Sequence, residues 1–266
     1  MIRTIVALFG PVLLGACASG PMGPHAAVSD LAPTGKLRAV INFGNPILAR
    51  KDEATGEPSG VSVDLARELA KRLGVDVELV TVASAGDAVD RLASGRIDVG
   101  FFAIDPARAA TTAYTAPYVQ IEGSYLVRND SPIRTNGDID REGIRVAVGN
   151  KSAYDLFLTR ELKKAKIERA PTSPIVVDYF LAHGLDAAAG VKQQLEMDAK
   201  RVGNVRLLPG RFMVINQAMG MARDKEAGAQ YLTAFVEEMK ASGFVADALA
   251  RHKIEGATVA PPGGGS

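Results

Sequence analysis

Two segments of this 266-residue chain carry residue types and spacings that can handle an anion. In the first, Asp105, Pro106 and Arg108 follow a segment, residues 97–102, that reads as a buried strand. A guanidinium donates two parallel hydrogen bonds to a carboxylate in a fixed fork, which a lysine cannot reproduce. A solvated surface arginine looks the same in sequence. Asp105 before Pro106 is a helix-start signal, because aspartate caps and proline fits the first turn. Asp105 therefore has three readings: a contact to a cationic or hydroxyl group of a ligand, an N-cap, or a partner for Arg108 that would weaken carboxylate capture. In the second segment, Gly149, Asn150, Lys151, Ser152, Ala153 and Tyr154 join a strand to a helix. Free amides at a helix start attract anions without charged side chains, and Ser152 fits a plain N-cap there.

Other chemistries find little support. His25, His183 and His252 are too dispersed for a metal cluster, and the chain has no Walker loop, GxSxG elbow or HExxH helix. Lys plus Arg number 31 against 30 for Asp plus Glu, so no broad field favours nucleic acid. Tryptophan is absent, which argues against a stacking platform for sugars or single strands. No cofactor is expected.

The elements that must position these residues alternate between strand and helix, the pattern of an α/β fold with a largely parallel sheet. Residues 37–41 read as a strand. Val63, Ala66, Leu69, Ala70 and Leu73 recur at helical spacing and end at Gly74, a natural C-cap. Strand 75–82, helix 85–92 and strand 97–102 complete a βαβαβ unit. A second unit opens with strand 144–148, helix 153–165, helix 175–182 and strand 185–189. Strand 218–222 and helices 227–241 and 244–252 close the chain. The turn Ser94-Gly95-Arg96-Ile97-Asp98-Val99 has an echo in His183-Gly184-Leu185-Asp186-Ala187: a helix ends at glycine and an apolar–Asp pair enters a strand.

Gly60-Val61-Ser62-Val63-Asp64-Leu65-Ala66, then Leu92-Ala93-Ser94-Gly95-Arg96-Ile97-Asp98-Val99, then Arg108 followed by Tyr114-Thr115-Ala116-Pro117-Tyr118, together resemble the amino-acid-type extracellular solute-binding proteins of ABC transporters. The resemblance implies a two-lobed periplasmic-binding-protein type II fold, each lobe a mixed, mostly parallel sheet flanked by helices, with two hinge crossings near Tyr118 and Gln217. Ligand would lie between the lobes. It also implies that Arg108 grips a ligand carboxylate, with Ala103 beside it. Ser152 and, more weakly, Lys151 would meet the anionic end. Phe43, Asn42 and Asn45 would wall the pocket, although Gly44-Asn45-Pro46 also suits an ordinary turn. Asp105 stands where the family usually has Thr or Ser. Five residues after Asp186, where amino-acid binders usually place an acid for the ligand ammonium, stands Val191, unless a shift brings in Glu196 or Asp198.

At the start of the chain, one charge at Arg3, an apolar run of roughly ten residues and Gly15-Ala16-Cys17 read as a secretory signal, too short to span a bilayer. Leu14-Gly15-Ala16-Cys17 resembles a lipobox, with the single cysteine, Cys17, as the lipidated residue. The expected organisation is signal 1–17, flexible tether 18–35, lobe 1 from 36–119 and 216–260, lobe 2 from 120–215, and flexible tail 261–266. The expected protein is a monomer in the periplasm or at the cell surface that binds a small anionic solute and delivers it to an inner-membrane ABC permease. A cyclohexadienyl-dehydratase-like enzyme and a ligand-binding sensor component are the alternatives on the same fold.

Overall fold

The computed structural model describes residues 24–263. Its elements in chain order are α1 (Pro24–Leu31), β1 (Lys36–Asn42), β2 (Arg50–Lys51), β3 (Pro58–Ser59), α2 (Val61–Leu73), β4 (Asp76–Val82), α3 (Ala85–Ala93), β5 (Val99–Ala103) and β6 (Thr112–Arg128). Then follow β7 (Arg145–Gly149), α4 (Ala153–Glu161), β8 (Lys166–Ala170), α5 (Val176–Ala182), β9 (Ala187–Val191), α6 (Lys192–Val202) and β10 (Val205–Leu207). The chain closes with β11 (Met213–Ala222), α7 (Glu226–Ala241), α8 (Phe244–Arg251) and β12 (Thr258–Val259).

Two long strands organise everything else. The 17-residue β6 and the 10-residue β11 run antiparallel through the middle of a sheet ordered β4-β1-β5-β11-β6-β9-β7-β8. At one end β11 pairs with β5, from Met221 opposite Val99 to Gln217 opposite Ala103. At the other, β6 pairs with β9, from Gly123 opposite Val191 to Leu126 opposite Ala188. Lobe 1 is thus built on β4, β1 and β5, and lobe 2 on β9, β7 and β8; the chain passes between them at Val119–Gln120 and Asn216–Gln217, where β12 adds a third strand.

Strand alternation sends side chains to two faces, and each face has its own helix. In β1, Leu37, Ala39 and Ile41 join the cluster containing Leu65, Leu69 and Leu73 of α2, whereas Val40 joins Ala88 and Leu92 of α3. In β7, Val146 and Val148 pack with Tyr154 and Leu158 of α4, and Ala147 with Phe180 of α5 and Leu195 of α6. Each such leucine, fully removed from water, contributes about 1.5–3 kcal/mol.

The echoing turns occupy equivalent places. Gly95 and Gly184 both take positive φ, +68° and +57°, where a β-carbon would be strained. The Arg38 amide donates to Asp98 Oδ2 at 2.9 Å, and the Asp98 amide returns a bond to the Arg38 carbonyl at 2.8 Å. The Arg145 amide and Asp186 repeat this exchange at 2.8 and 3.0 Å.

Several sequence expectations need correction. The expected tether over 18–35 contains α1, whose Ala27 and Leu31 are buried and whose Asp30 accepts from the Gly228 amide of α7 at 2.9 Å. The expected flexible tail is pinned over 261–263: the Gly263 amide donates to Glu237 at 3.1 Å and Lys240 to the Pro261 carbonyl at 2.9 Å. The expected helix 153–165 ends at Glu161, and β8 follows as an edge strand parallel to β7. Asp105-Pro106 starts no helix; Asp105 caps one turn, its carboxylate accepting from the Ala107 amide at 2.8 Å and its carbonyl from the Arg108 amide at 3.1 Å. The signal segment, with Cys17, and residues 264–266 lie outside the described residues. Among the described residues, no helix is long and apolar enough to cross a membrane.

Candidate functional site

Parallel strands deliver their carboxyl ends to the line where the lobes meet, the usual position for ligands in open α/β sheets. Four strand ends converge there: Asn42 from β1, Ala103 from β5, the loop after Gly149 from β7, and Val191 from β9. Gly149 is required by close approach, since a β-carbon there would lie 2.7 Å from Ser173 Cα and 2.9 Å from its backbone nitrogen. The 3₁₀ turn Ser173–Ile175 can therefore seat Ser173 against the start of α4.

Between these ends lies a cavity of ≈ 50 Å³. Lobe 1 lines it with Asn42, Gly44, Asn45, Leu48, Ser62, Ala85, Phe101, Phe102, Ala103 and Arg108; lobe 2 adds Ser152, Ala153, Tyr154, Ser173 and Val191. Ile215 and Gln217 of β11 complete the wall. An edge-to-face contact with fully buried Tyr118, at 6.1 Å and 87°, fixes the ring of Phe101.

Arg108 is buried, and burial pulls its pKa below the ordinary value. The guanidinium stays charged all the same. Its guanidinium donates to two backbone carbonyls, Ala103 at 3.3 Å and, across the lobes, Lys151 at 2.7 Å. Among the described residues no salt bridge joins it to a carboxylate; the Asp105 charge is near enough to favour the guanidinium, but its direct partner is Arg160. The Asp105 carboxylate, 4% exposed, takes Arg160 of α4 at 2.8 Å. Of the three readings, Asp105 is thus the cap of its own turn and a tie to lobe 2; it is absent from the cavity wall.

Opposite, Ser152 caps α4. Its hydroxyl accepts the Asp155 amide at 3.0 Å while Asp155 accepts the Lys151 amide at 2.8 Å, an exchange of the capping-box kind. Arg169 holds Asp155 from behind at 3.0 Å. The amides of Ala153 and Tyr154, in the first turn, have no partner inside the helix, and both residues line the cavity. Burial pushes the Tyr154 phenol up from its ordinary value, so it stays a neutral hydroxyl. Lys151 offers the site only its backbone: its φ is +55°, and its ammonium reaches Asp90 of lobe 1 at 3.1 Å on the surface.

The structure thus gathers Arg108, Ser152, Asn42, Asn45 and Ala103 around one cavity, and leaves Asp105, Lys151 and Phe43 outside its wall; Phe43 packs against the core. Val191 does line the cavity. The alternatives from a shifted register do not: Glu196 borders a separate groove, and Asp198 is buried against Arg201 at 2.7 Å. Ser62, Phe101, Phe102, Tyr154, Ser173, Ile215 and Gln217 were not picked out as site residues. The signal for several was position, at or next to a strand's carboxyl end or a helix's first turn.

Known proteins bear on this geometry. Residues 39–253 match the model for bacterial extracellular solute-binding proteins, family 3. The chain is 30% identical over 159 residues to the virulence sensor protein BvgS of Bordetella pertussis, covering 59% of this chain and 12% of that protein. It therefore spans about an eighth of the curated relative's length. Among solved structures, a mutant ArgBP from T. maritima aligns with a TM-score of 0.73 at 21% identity, covering 85% of this chain and 98% of that one. An ancestral amino acid-binding protein, a precursor of cyclohexadienyl dehydratase, aligns with a TM-score of 0.71 at 21% identity, covering 84% and 98%. These likenesses establish the two-lobed type II periplasmic-binding-protein fold.

Proposed function

Starting from a chain that belongs to the bacterial extracellular solute-binding proteins, family 3, we propose that it captures a small anionic solute between its lobes through Arg108 and hands it to an inner-membrane ABC permease. The family is one of binding proteins, and the chain is a binding protein rather than an enzyme. The observation that carries the ligand's charge is the buried Arg108 guanidinium, which is held only by neutral carbonyls at 3.3 and 2.7 Å. Among the described residues no carboxylate is in salt-bridge contact with it, so an arriving carboxylate would supply the direct charge-assisted pairing that the fold does not. The free amides at the start of α4 add a second anion-favouring feature from the other lobe.

Screening small carboxylates by thermal shift tests this reading. Binding to the native state stabilises by RT ln(1 + [L]/Kd), about 2.7 kcal/mol at a hundredfold excess. Arg108→Ala should abolish that shift, measured against the variant's own ligand-free melting point; a variant retaining the full shift defeats the assignment.

For location, the reading is a periplasmic or surface protein held to the membrane by lipid on Cys17. Cys17→Ser should move it to the soluble fraction, and persistent membrane association would count against the anchor. The 30% identity to BvgS favours a second reading, in which the same cleft reports to a sensor. A permease and ATPase encoded beside the gene would favour transport.

A further inference from the structure

The wall of the cleft cavity holds one permanent charge. Among the described residues that line it, Arg108 is the sole cation and no aspartate or glutamate is present. Carboxylates that lie close by in the fold are committed elsewhere. Asp105 is on Arg160 at 2.8 Å, Asp155 on Arg169 at 3.0 Å, and Glu122 on Arg211 and Lys192 at 2.6 and 3.1 Å. Where β9 ends at the cavity, lobe 2 contributes Val191, a residue with no charge to offer.

A ligand carrying both a carboxylate and an ammonium would have to bury the ammonium in this pocket. It would find only neutral acceptors, together with the repulsion of Arg108, which low-dielectric surroundings strengthen. A hydroxyl group has neither problem. The cavity wall offers neutral polar side chains instead, Asn42, Asn45, Ser62, Ser173 and Gln217, and the Asn45 Oδ1, buried and without a hydrogen-bond partner, is an acceptor that a small side-chain shift could turn to an O–H donor. Size narrows the class further, because ≈ 50 Å³ admits roughly four water-sized groups.

We infer that the cleft is selective for a short hydroxycarboxylate over the α-amino acid of the same shape, and that Val191 is the specificity-determining residue. The inference rests on the proposed role of Arg108 as carboxylate anchor. The carboxylate takes the guanidinium, the hydroxyl donates to Asn45, and Val191 covers the position where an ammonium would need a negative partner.

Isothermal titration with matched pairs tests it: glycolate against glycine, and L-lactate against L-alanine, on the wild-type protein, Val191→Asp, Asn45→Ala and Arg108→Ala. Wild type should bind each hydroxy acid about tenfold or more tighter than its amino partner. Val191→Asp should reverse the order, and Asn45→Ala should weaken the hydroxy acids while narrowing the difference. Equal or tighter binding of the amino acids by wild type overturns the inference, as does millimolar silence of both members of both pairs. Since the wild-type comparison decides the matter, misfolding of a variant does not rescue it. Retention of hydroxy-acid binding by Arg108→Ala would instead overturn the anchor on which the inference stands.

Discussion

The two lobes solve one structural problem the same way and then diverge by a few residues. Each brings an aspartate from a helix-to-strand turn onto an amide near the start of the neighbouring parallel strand: Asp98 onto Arg38, Asp186 onto Arg145. Past the strand that follows, lobe 1 makes the Asp105-capped turn that sets Arg108 into the cleft, whereas lobe 2 passes directly from Val191 into α6. One wall thereby gains a fixed cation and the other an apolar cap plus helix-end amides. Shared scaffolding fixes where a site lies; the segment just beyond the strand decides its chemistry.

The comparison can be broken most sharply at the two aspartates. The Asp98 side chain is 4% exposed against 22% for Arg38, but Asp186 and Arg145 are 36% and 42% exposed. Asp98→Ala should cost about 3 kcal/mol, because it strands a half-buried guanidinium and a strand amide. Asp186→Ala should cost below about 1 kcal/mol, as water replaces the lost partner. Urea denaturation of both variants would measure this; equal costs would mean that the lobes use the device alike.

Next in size is the tie between lobes. Asp105→Asn removes the counter-charge of Arg160 and should disfavour closure by about 1.5 kcal/mol, a loss of roughly tenfold in affinity. Small-angle scattering should show a larger radius of gyration at equal ligand concentration. An unchanged radius and affinity would reduce Asp105 to a turn cap. Ser152→Ala, on the opposite wall, should cost about 1 kcal/mol of stability through loss of the cap on α4.

How far the sequence revealed this layout depends on where the information resides. In lobe 1, α2 and β4 were legible because period and punctuation are local: apolar positions at helical spacing end at Gly74, which adopts φ +70°. Helix α1 was hidden, since Ala27 and Leu31 become buried only by docking on the protein body. Strand β8, the edge segment KIERA, is half polar and follows directly on the expected helix, so it carried no strand signal of its own. The 11-residue α6 went unread because Leu195 and Asp198 are its only buried residues. In the site, Arg108 could be singled out by the run of motifs around it. The fate of Asp105 could not, because Arg160, the residue that claims it, lies 55 positions further on and meets it only through closure.

The smallest predicted effect is at Glu122, on β6 between the lobes. Hydrogen bonds from Arg211 and Lys192 hold its carboxyl below the ordinary value of 4.5. A depressed carboxyl contributes stability above its unfolded value and loses it as pH falls through the folded one. Glu122→Gln should therefore flatten part of the acid limb of the stability profile, by below about 1 kcal/mol, since the group is partly exposed. An unaltered limb on chemical denaturation would show that these partners add nothing measurable.

The continuity of β6 and β11 has a mechanical consequence. Both connections are continuous strands, so any change in the angle between the halves has to be taken up as bend and twist in that ribbon. The irregular pairing around Gln217, Ala218 and Gly220, opposite Pro117, is where that ribbon is least tightly laced. Stiffness there would set the recoil that returns the molecule to its starting shape once its cargo is gone.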